Sequence, residues 1–390
     1  MIKKKIIFIT VAFLFLTFVF GGNVDVVQSK KSQDANLYKN LELFIDTLRI
    51  VQDNYVEPVD DKKLIYGALK GMLMSLDPYS AFLEPEMKKE LEIETKGEFE
   101  GVGMEITVKD GVITVVSPIE DTPAWKAGIK EGDKIIEIDG KSTKGMTSME
   151  AAKLLRGKKG TKVSISILRE GISNLLKFTL ERDVIKIKSV KTKIFDSIGY
   201  IRLTGFQENT VGELKKALIE FNNKGIKGLI LDLRNNPGGL LNIAIEVTEL
   251  FLPPNKLIVY TQGRKKEDSV KFYSKKSQLW KGPIVLLING GSASASEILF
   301  GALKDNYPNL LSIGTKTFGK GSVQNLIKLP DDSAIKLTIA RFYTPKGICI
   351  EGEGIAPDIE VKIDGEKPIL PTSEEDIQFK KALEEIKKMI

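Results

Sequence analysis

The sequence of 390 residues contains no histidine, and this absence limits the chemistry available to its serines. A Ser-His-Asp triad is excluded, and so is a cysteine nucleophile that uses histidine as its base. A serine nucleophile in this chain therefore needs a different base. A lysine whose pKa is lowered by burial is the remaining option of known type.

Cysteine is almost as scarce, because Cys349 is the single one in the chain. An intramolecular disulfide is excluded. Transition-metal sites rely on cysteine and histidine ligands, which this sequence does not supply in number. We therefore expect no metal and no other cofactor.

The chain also lacks a strong excess of one charge, with 58 basic and 52 acidic residues and a net charge of +6. The densest basic stretch, residues 264–276, is interrupted by acidic and aromatic side chains. That composition is typical of a solvated loop, and no nucleic-acid-binding motif accompanies it. We expect no nucleic-acid partner.

The N-terminus has the pattern of a targeting segment over residues 1–22. Lys3–Lys5 precede Ile6–Phe20, a run without charge, as in a secretory signal. This run is shorter than the roughly 20 residues of a usual membrane span. No Ala-x-Ala cleavage motif follows, so a cleaved signal and a retained membrane anchor both stay open. Either way, the remainder is expected outside the cytoplasmic membrane.

Residues 289–324 contain the most informative stretch of the sequence. Ser292, Ser294 and Ser296 alternate with alanines in front of an apolar pattern of helical period. Backbone N–H groups at a helix N-terminus are unpaired and favour negative charge. Further along, Lys320 stands between two glycines, and a return strand and turn could bring it beside the serines. The alternative is that the serines form only a turn of small residues that packs a helix closely.

A second turn of this kind follows the apolar run Gly228–Leu233, which predicts a buried strand. Residues 234–239 then read Arg-Asn-Asn-Pro-Gly-Gly and lead into a helix predicted through Phe251. Free amides at such a helix start suit an oxyanion, although Pro237 has no N–H to donate.

Residues 97–183 predict a small unit of short strands. Val112–Val116 and Lys134–Ile138 alternate as strands, and Ser148–Leu155 has a helical pattern. In front of them lies Gly101-Val102-Gly103-Met104. The arrangement resembles a PDZ domain, whose Gly-x-Gly-hydrophobic loop offers amides to a peptide carboxylate. Alternatively, the glycines serve tight turns alone.

Helical patterns flank these units. Residues 36–96 predict two helices, the second capped by Asp60, followed by an Asp77-Pro78 turn. We interpret this region as an interaction module without chemistry of its own. Residues 23–35 are interpreted as a flexible linker, and residues 373–390 as a C-terminal amphipathic helix.

The motifs together resemble the C-terminal processing peptidases (tail-specific proteases), a Ser-Lys dyad serine protease family, over about residues 36–390. In the family, the nucleophile is the serine before Ala-Ser-Glu-Ile, here Ser294, and the base is the lysine of Thr-Phe-Gly-Lys-Gly, here Lys320. Gln324 matches the residue that orients the lysine, and Asp305 matches a supporting acidic position. Residues 306–309 are one residue longer than the usual pattern, and Tyr79 stands where the family usually has histidine.

The resemblance implies further site residues and a fold. The oxyanion donors would be the amides of Ala295 and of Gly238 or Gly239. In the PDZ domain, the loop from Gly101 to Met104 would bind a carboxylate. Apolar contacts to the terminal side chain of the peptide would come from Val102, Met104, Met149 and Ala152. The expected fold is α+β multidomain, with a crotonase-like α/β protease core over residues 184–372 and the PDZ domain inserted before it.

The function implied is an extracytoplasmic serine endopeptidase that binds apolar C-termini of proteins and cleaves the chain nearby. Its N-terminal segment would reach the membrane if uncleaved, and its N- and C-terminal helices would form a homodimer. Two alternatives remain open at this point. One is a PDZ scaffold on a degenerate protease body, and the other is a crotonase-fold enzyme that acts on an acyl thioester.

Overall fold

The computed structural model describes residues 31–265, 267, 269–363 and 370–390. The predicted targeting segment, residues 1–22, lies outside them. Among the described residues, no helix is both long enough and apolar enough to cross a membrane. The described part of the chain falls into two compact units, divided between residues 68 and 69.

Within its described residues, the first unit holds helix α1 (Lys31–Asn54) and the beginning of helix α2 (Asp61–Met74). Asp60 caps α2 as predicted, since its Oδ1 accepts a hydrogen bond from the Lys62 amide at 2.9 Å. The predicted linker is wrong for residues 31–35, which are already helical. They contain neither glycine nor proline, so nothing in the sequence stops the helix there.

Helix α1 carries an unusual amount of apolar surface for a helix of a soluble protein. Apolar patches of this kind mark interaction surfaces. The large apolar side chains exposed along it are Leu37, Tyr38, Leu41, Leu43, Phe44, Ile45 and Ile50.

The predicted PDZ segment forms an antiparallel sheet with two helices. Its strands follow the order β3-β4-β5-β7-β8, with β6 on β5, while β2 pairs with β9 where the chain enters and leaves. Its own core consists mainly of buried isoleucines and valines, among them Ile113, Ile135 and Ile165. The elements are β2 (Glu98–Gly101), β3 (Met104–Lys109), β4 (Val112–Pro118), α4 (Pro123–Lys126), β5 (Lys134–Ile138), β6 (Lys141–Ser142), α5 (Ser148–Leu155), β7 (Lys162–Leu168), β8 (Leu176–Glu181) and β9 (Asp183–Lys186).

The catalytic candidate residues lie on a larger body that contains two sheets. Its main sheet has the strand order β10-β11-β12-β15-β16-β19 and is parallel except for the pair β10–β11. The elements of this sheet and its helices are β10 (Val190–Phe195), β11 (Ile198–Leu203), α6 (Thr210–Asn223), β12 (Gly228–Asp232), α7 (Leu241–Glu249), β15 (Ile284–Ile288), α8 (Ala295–Asn306), β16 (Leu310–Gly314), β19 (Ile359–Glu360) and α9 (Ile377–Met389).

The main sheet is covered on both faces, which explains why its central strands carry runs of consecutive apolar residues. Leu229 and Leu231 of β12 pack with helices α6, α7 and α8 in one core. Ile230, between them, packs with α9 in a second core on the other face. Alternate residues of a strand point to opposite faces, so a strand covered on both faces carries apolar side chains at consecutive positions.

The second sheet gathers strands from both ends of the body. It has the order β1-β18-β13-β14, with β17 on β18. Its first strand comes from the region predicted to be only an interaction module, so that boundary is wrong: residues 81–83 pair with β18. The elements are β1 (Ala81–Leu83), α3 (Pro85–Lys96), β13 (Leu257–Gly263), β14 (Val270–Tyr273), β17 (Ser322–Lys328) and β18 (Ala334–Tyr343).

Two predicted helices are shorter than expected. Helix α7 ends at Glu249, before Phe251, because the amides of residues 250 and 251 bond three residues back in a tight final turn ahead of Pro253. Helix α9 begins at Ile377 rather than residue 373, since the Asp376 side chain accepts a hydrogen bond from the Phe379 amide and caps it there.

A buried ion cluster connects α9 to the end of β12. The Arg234 guanidinium donates to Asp232 at 2.7 Å and to Asp376 at 2.8 Å, and both carboxylates are fully buried. The Tyr200 hydroxyl donates to Asp232 as well, at 2.8 Å. Because a buried charge without partners is very costly, the cluster fixes the turn that follows β12.

Candidate active site

Ser294 lies at the point where the buried strand β15 gives way to helix α8. It is the residue before the first turn of that helix, and its backbone has φ 54° and ψ −112°. Residues other than glycine rarely adopt a positive φ. Such backbone strain is found at functional sites, where the surrounding structure enforces it. The surroundings do so here, because the Ser294 amide donates to the Glu297 carboxylate at 2.9 Å.

The three serines of the motif have different environments. Ser292 and Ser296 are fully buried, and their hydroxyls donate to the carbonyl oxygens of Leu233 and Asn236 at 2.8 and 2.9 Å. Ser294 is half-buried and lines a cleft with a volume of about 570 Å³. The hydrogen bonds of the two flanking serines therefore connect the Ser294 turn to the turn after β12, and Ser294 itself faces the cleft.

The turn after β12 packs directly against the Ser294 turn. A Cβ placed on Gly238 would come within 2.8 Å of the Ala295 nitrogen, so only glycine allows this approach. The Gly238 amide donates to Asn236 Oδ1 at 2.9 Å and is therefore occupied. Among the described residues, the amides of Gly239 and Ala295 have no acceptor, and both residues line the cleft.

Lys320 lines the same cleft from the turn between β16 and β17. Burial lowers the pKa of its amine below the usual value for lysine, and the nearby Lys336 lowers it further. The carboxylates of Glu351, Asp77 and Glu297 act in the opposite direction. The amine lies over the ring of Tyr79, 4.8 Å from its centroid.

Glu297 ties the serine turn to the lysine turn, a role that the sequence reasoning missed. Its carboxylate is fully buried and accepts four hydrogen bonds of 2.6 to 2.9 Å, from the Thr317 hydroxyl and from the amides of Ser294, Gly319 and Lys320. The signal was present as the spacing Ser294-x-x-Glu297, which is the signature of a capping box.

Two residues with predicted catalytic roles have other contacts. Gln324 lines the cleft, but its amide nitrogen donates to the hydroxyls of Ser322 and Thr338, at 2.9 and 3.3 Å, rather than to Lys320. Asp305 lies near the far end of α8, where it accepts the Lys346 amide at 3.0 Å. The structure therefore brings Gln324 to the site and does not bring Asp305 there.

The predicted peptide groove in the PDZ segment is narrow, with a volume of about 50 Å³. Gly103 needs its glycine, since φ is 80° and a Cβ would lie 2.3 Å from Thr122. Met149 stands in the first turn of α5, is 50% exposed and is not among the residues that line this cavity, so its place in the peptide groove stays a prediction. Gly101 is also outside the lining, in strand β2. The lining residues are Phe99, Val102, Gly103, Met104, Ile106, Ala152, Leu155 and Arg156.

Comparison with protein-family models gives three matches along the chain. Residues 197–361 match peptidase family S41, residues 114–169 match the PDZ domain, and residues 14–87 match the N-terminal domain of the activating protease CtpB.

Whole-length relatives agree with these matches. The carboxy-terminal-processing protease of Bartonella bacilliformis is 45% identical over 367 residues, which are 93% of this chain and 83% of that protein. The carboxy-terminal processing protease CtpA of Bacillus subtilis is 39% identical, with 89% and 74% covered. A solved structure of a photosystem II D1 C-terminal processing protease is 31% identical, covers 82% of this chain and 92% of that one, and gives a TM-score of 0.48.

Proposed function

The chain belongs to the C-terminal processing peptidases of peptidase family S41, serine-type proteases that carry a PDZ domain, and we propose that it uses a Ser294–Lys320 dyad. The observation that carries this proposal is the cleft itself. A half-buried hydroxyl, an amine of lowered pKa and two unoccupied amides line it together. These are the groups that acyl transfer requires.

The reaction follows from the roles of these groups. Neutral Lys320 takes the proton of Ser294 as the hydroxyl oxygen attacks the scissile carbonyl, and the protonated lysine then supplies the proton for the leaving amine. The acyl-enzyme is hydrolysed by a water that the same lysine activates. Glu297 keeps both turns in position through the reaction.

The tetrahedral oxyanion would be bound by the amides of Ala295 and Gly239. We prefer Gly239 to Gly238, because the amide of Gly238 already donates to Asn236. Each such donor contributes about 3 kcal/mol to the transition state in comparable sites. Gly238 instead provides the close approach between the two turns.

Substrate selection would take place in the PDZ groove. The amides of Val102 and Gly103 have no acceptor among the described residues, so they are available for a terminal carboxylate. Met104 and Ala152 supply apolar lining for the terminal side chain. Since the groove is narrow, small apolar C-terminal residues such as alanine or valine should fit best.

The domain assignment proposed here follows the two cores of the body. Residues 97–183 form the PDZ domain, and residues 184–372 form a crotonase-like protease core whose second sheet also takes in residues 81–83. The helix at the C-terminus covers one face of its main sheet.

We also propose an extracytoplasmic location, on the charge and hydropathy pattern of residues 1–22, with membrane contact if that segment is retained.

The apolar side chains exposed along α1 support a homodimer in which the N-terminal helices take part. Association through the C-terminal helix stays a prediction.

A pair of matched peptides tests the proposed function. A peptide with a free apolar C-terminus should be cleaved faster than its C-terminally amidated form, because an amide lacks the charge that the loop amides bind. Ser294→Ala should abolish cleavage of both while keeping the fold, since only one oxygen is lost. Ser296→Ala is the control and should keep most of the activity, because Ser296 is fully buried and does not line the cleft.

The outcomes also separate the alternatives. A PDZ scaffold would bind the free-acid peptide without cleaving it, and a thioester-specific enzyme would leave both peptides intact. Equal cleavage of the free-acid and amidated peptides would refute the recognition of C-termini. Full activity of Ser294→Ala would refute the nucleophile.

A further inference from the structure

The segment that precedes β1 reaches Lys320, a residue of the active-site cleft, by way of a hydrogen-bonded turn. Asp77 Oδ1 accepts the amides of Tyr79 and Ser80 at 2.8 and 2.7 Å, and the Ser80 hydroxyl donates to Asp77 Oδ2 at 2.8 Å. The Thr338 amide of β18 donates to the same hydroxyl at 3.1 Å. The turn is therefore anchored to the strand beside the lysine.

This turn places the ring of Tyr79 against the Lys320 amine. The distance from Nζ to the ring centroid is 4.8 Å, within the range of a cation–π contact. Within the described part of the chain, Nζ donates no hydrogen bond, so the ring is the contact that fixes its position. Tyr79 itself is half-buried.

The charged groups around Nζ come from four other elements of the fold. Lys336 of β18 is the second cation in the cleft, while Glu297 of α8, Glu351 after β18 and Asp77 before β1 are the acidic groups that act on it. An aromatic ring face attracts the ammonium and has no comparable attraction for the neutral amine. Tyr79 therefore favours the charged form of Lys320, as the acidic groups do, without adding a charge.

We propose that Tyr79 is a positioning residue of the proposed dyad, whose ring face holds the Lys320 ammonium in the resting enzyme. When the ammonium loses its proton to solvent, the attraction of the ring ends, and the neutral amine is free to turn to the Ser294 hydroxyl. The ring thus determines the position of the Lys320 amine in the resting enzyme and the pH at which the neutral amine becomes available as a base. This inference rests on the proposed function of Lys320.

The pH dependence of kcat/KM tests the proposal. Tyr79→Leu keeps an apolar side chain but removes the ring face, so the neutral amine is favoured and the midpoint should move down by ~0.5 pH unit, as expected from a cation–π contact at a partly exposed site. Tyr79→Phe keeps the ring face and should restore the wild-type midpoint.

A second series of variants at position 79 keeps the test from depending on the Tyr79→Leu substitution alone. Phenylalanines with increasing fluorination, incorporated in place of Tyr79, keep the shape of the ring and progressively remove its negative face. The midpoint should fall stepwise along the series. Tyr273→Leu is the matched control, since Tyr273 is an exposed tyrosine on β14.

Some outcomes would overturn the proposal. An unchanged midpoint across the fluorinated series would exclude the ring face, and a Phe variant that behaves like Tyr79→Leu would assign the effect to the hydroxyl. Failure of the underlying dyad has a different signature: Lys320→Ala would retain wild-type cleavage whatever stands at position 79.

Discussion

The Lys320 amine illustrates how single residues decide the chemistry of a site without histidine. It must lose a proton before it can act, and burial lowers its pKa first, with Lys336 adding to the effect. Lysine acts as a base only in its neutral form, so activity should be low at acidic pH and should rise as pH passes through the lowered pKa.

Substitution at either lysine should change this profile in a defined way. Lys320→Arg should lose at least ~10²-fold in kcat, since arginine stays protonated and general-base catalysis is worth about that much or more.

Lys336→Met removes a neighbouring cation, so the pKa of Lys320 should rise and the midpoint of kcat/KM should move to higher pH. Both are measured with a chromogenic peptide across a pH series.

Lys328→Met is the control for Lys336→Met, because Lys328 is 71% exposed on the adjacent strand. Its midpoint should match the wild type. A downward shift for Lys336→Met would contradict the electrostatic explanation, and robust turnover by Lys320→Arg would require a different base.

At the scale of elements, the site is assembled where two turns and a helix start are joined by one carboxylate. Glu297→Gln replaces one acceptor oxygen by an NH₂ group that must face N–H or O–H donors. Leaving buried donors unpaired costs about 1–3 kcal/mol each, so we expect a lower melting temperature and a loss of ~30-fold or more in kcat/KM. Thermal unfolding and steady-state kinetics measure the two effects.

The control for this substitution is Glu353→Gln. Glu353 pairs loosely with Lys316 at 3.8 Å, and its side chain is 77% exposed. It should behave as wild type. Wild-type stability and turnover of Glu297→Gln would show that the four hydrogen bonds do not hold the two turns together.

How much of the site could be predicted depends on how local its pattern is. Ser294, Lys320 and the glycine turn at 238–239 stand in contiguous motifs, and the spacing of residues is informative there. Tyr79 reaches the lysine through the pairing of β1 with β18, a contact more than 200 residues apart that no periodicity encodes, whereas Lys336 reaches it through the pairing of β17 with β18. A related limit applies to Met149, since the helical pattern does not tell which turn of α5 borders the groove.

At the scale of the fold, strands and helices of the main sheet were predictable, and the membership of the second sheet was not. Apolar runs such as residues 284–288 predict buried strands directly. Strand β1 has three residues and follows a region of helical pattern, so its sequence alone favours a loop. Long-range pairing decides its structure, and with it the boundary of the protease body.

At the scale of the whole molecule, the PDZ segment can be removed at a natural junction. Gly101 and Asp183 are paired neighbours at the ends of β2 and β9, so an Asn-Gly turn can replace residues 102–182. If the domain tethers substrates by their C-termini, the shortened protein should cleave free-acid and amidated peptides at the same rate. If the domain is only a lid, cleavage should become faster and the preference should persist.

Ile172→Ala in the intact protein is the control, because Ile172 is exposed between β7 and β8 and does not line the groove. A third behaviour would indicate that docking at the groove also aligns the dyad: a free-acid peptide would then stimulate cleavage of an unrelated substrate by the intact protein. Retention of the free-acid preference after the deletion would contradict the tether.

The buried pair between Arg234 and Asp376 also has a consequence for the order of synthesis. The two residues are 142 positions apart, and the turn with Gly238 and Gly239 follows directly after the arginine. At translation rates of 5–20 residues per second, Asp376 is made about 7 to 30 s after Arg234. Until then, one face of the main sheet lacks α9 and the arginine lacks its second carboxylate. A growing chain therefore contains Ser294 before the arginine beside the oxyanion turn has both of its carboxylate partners.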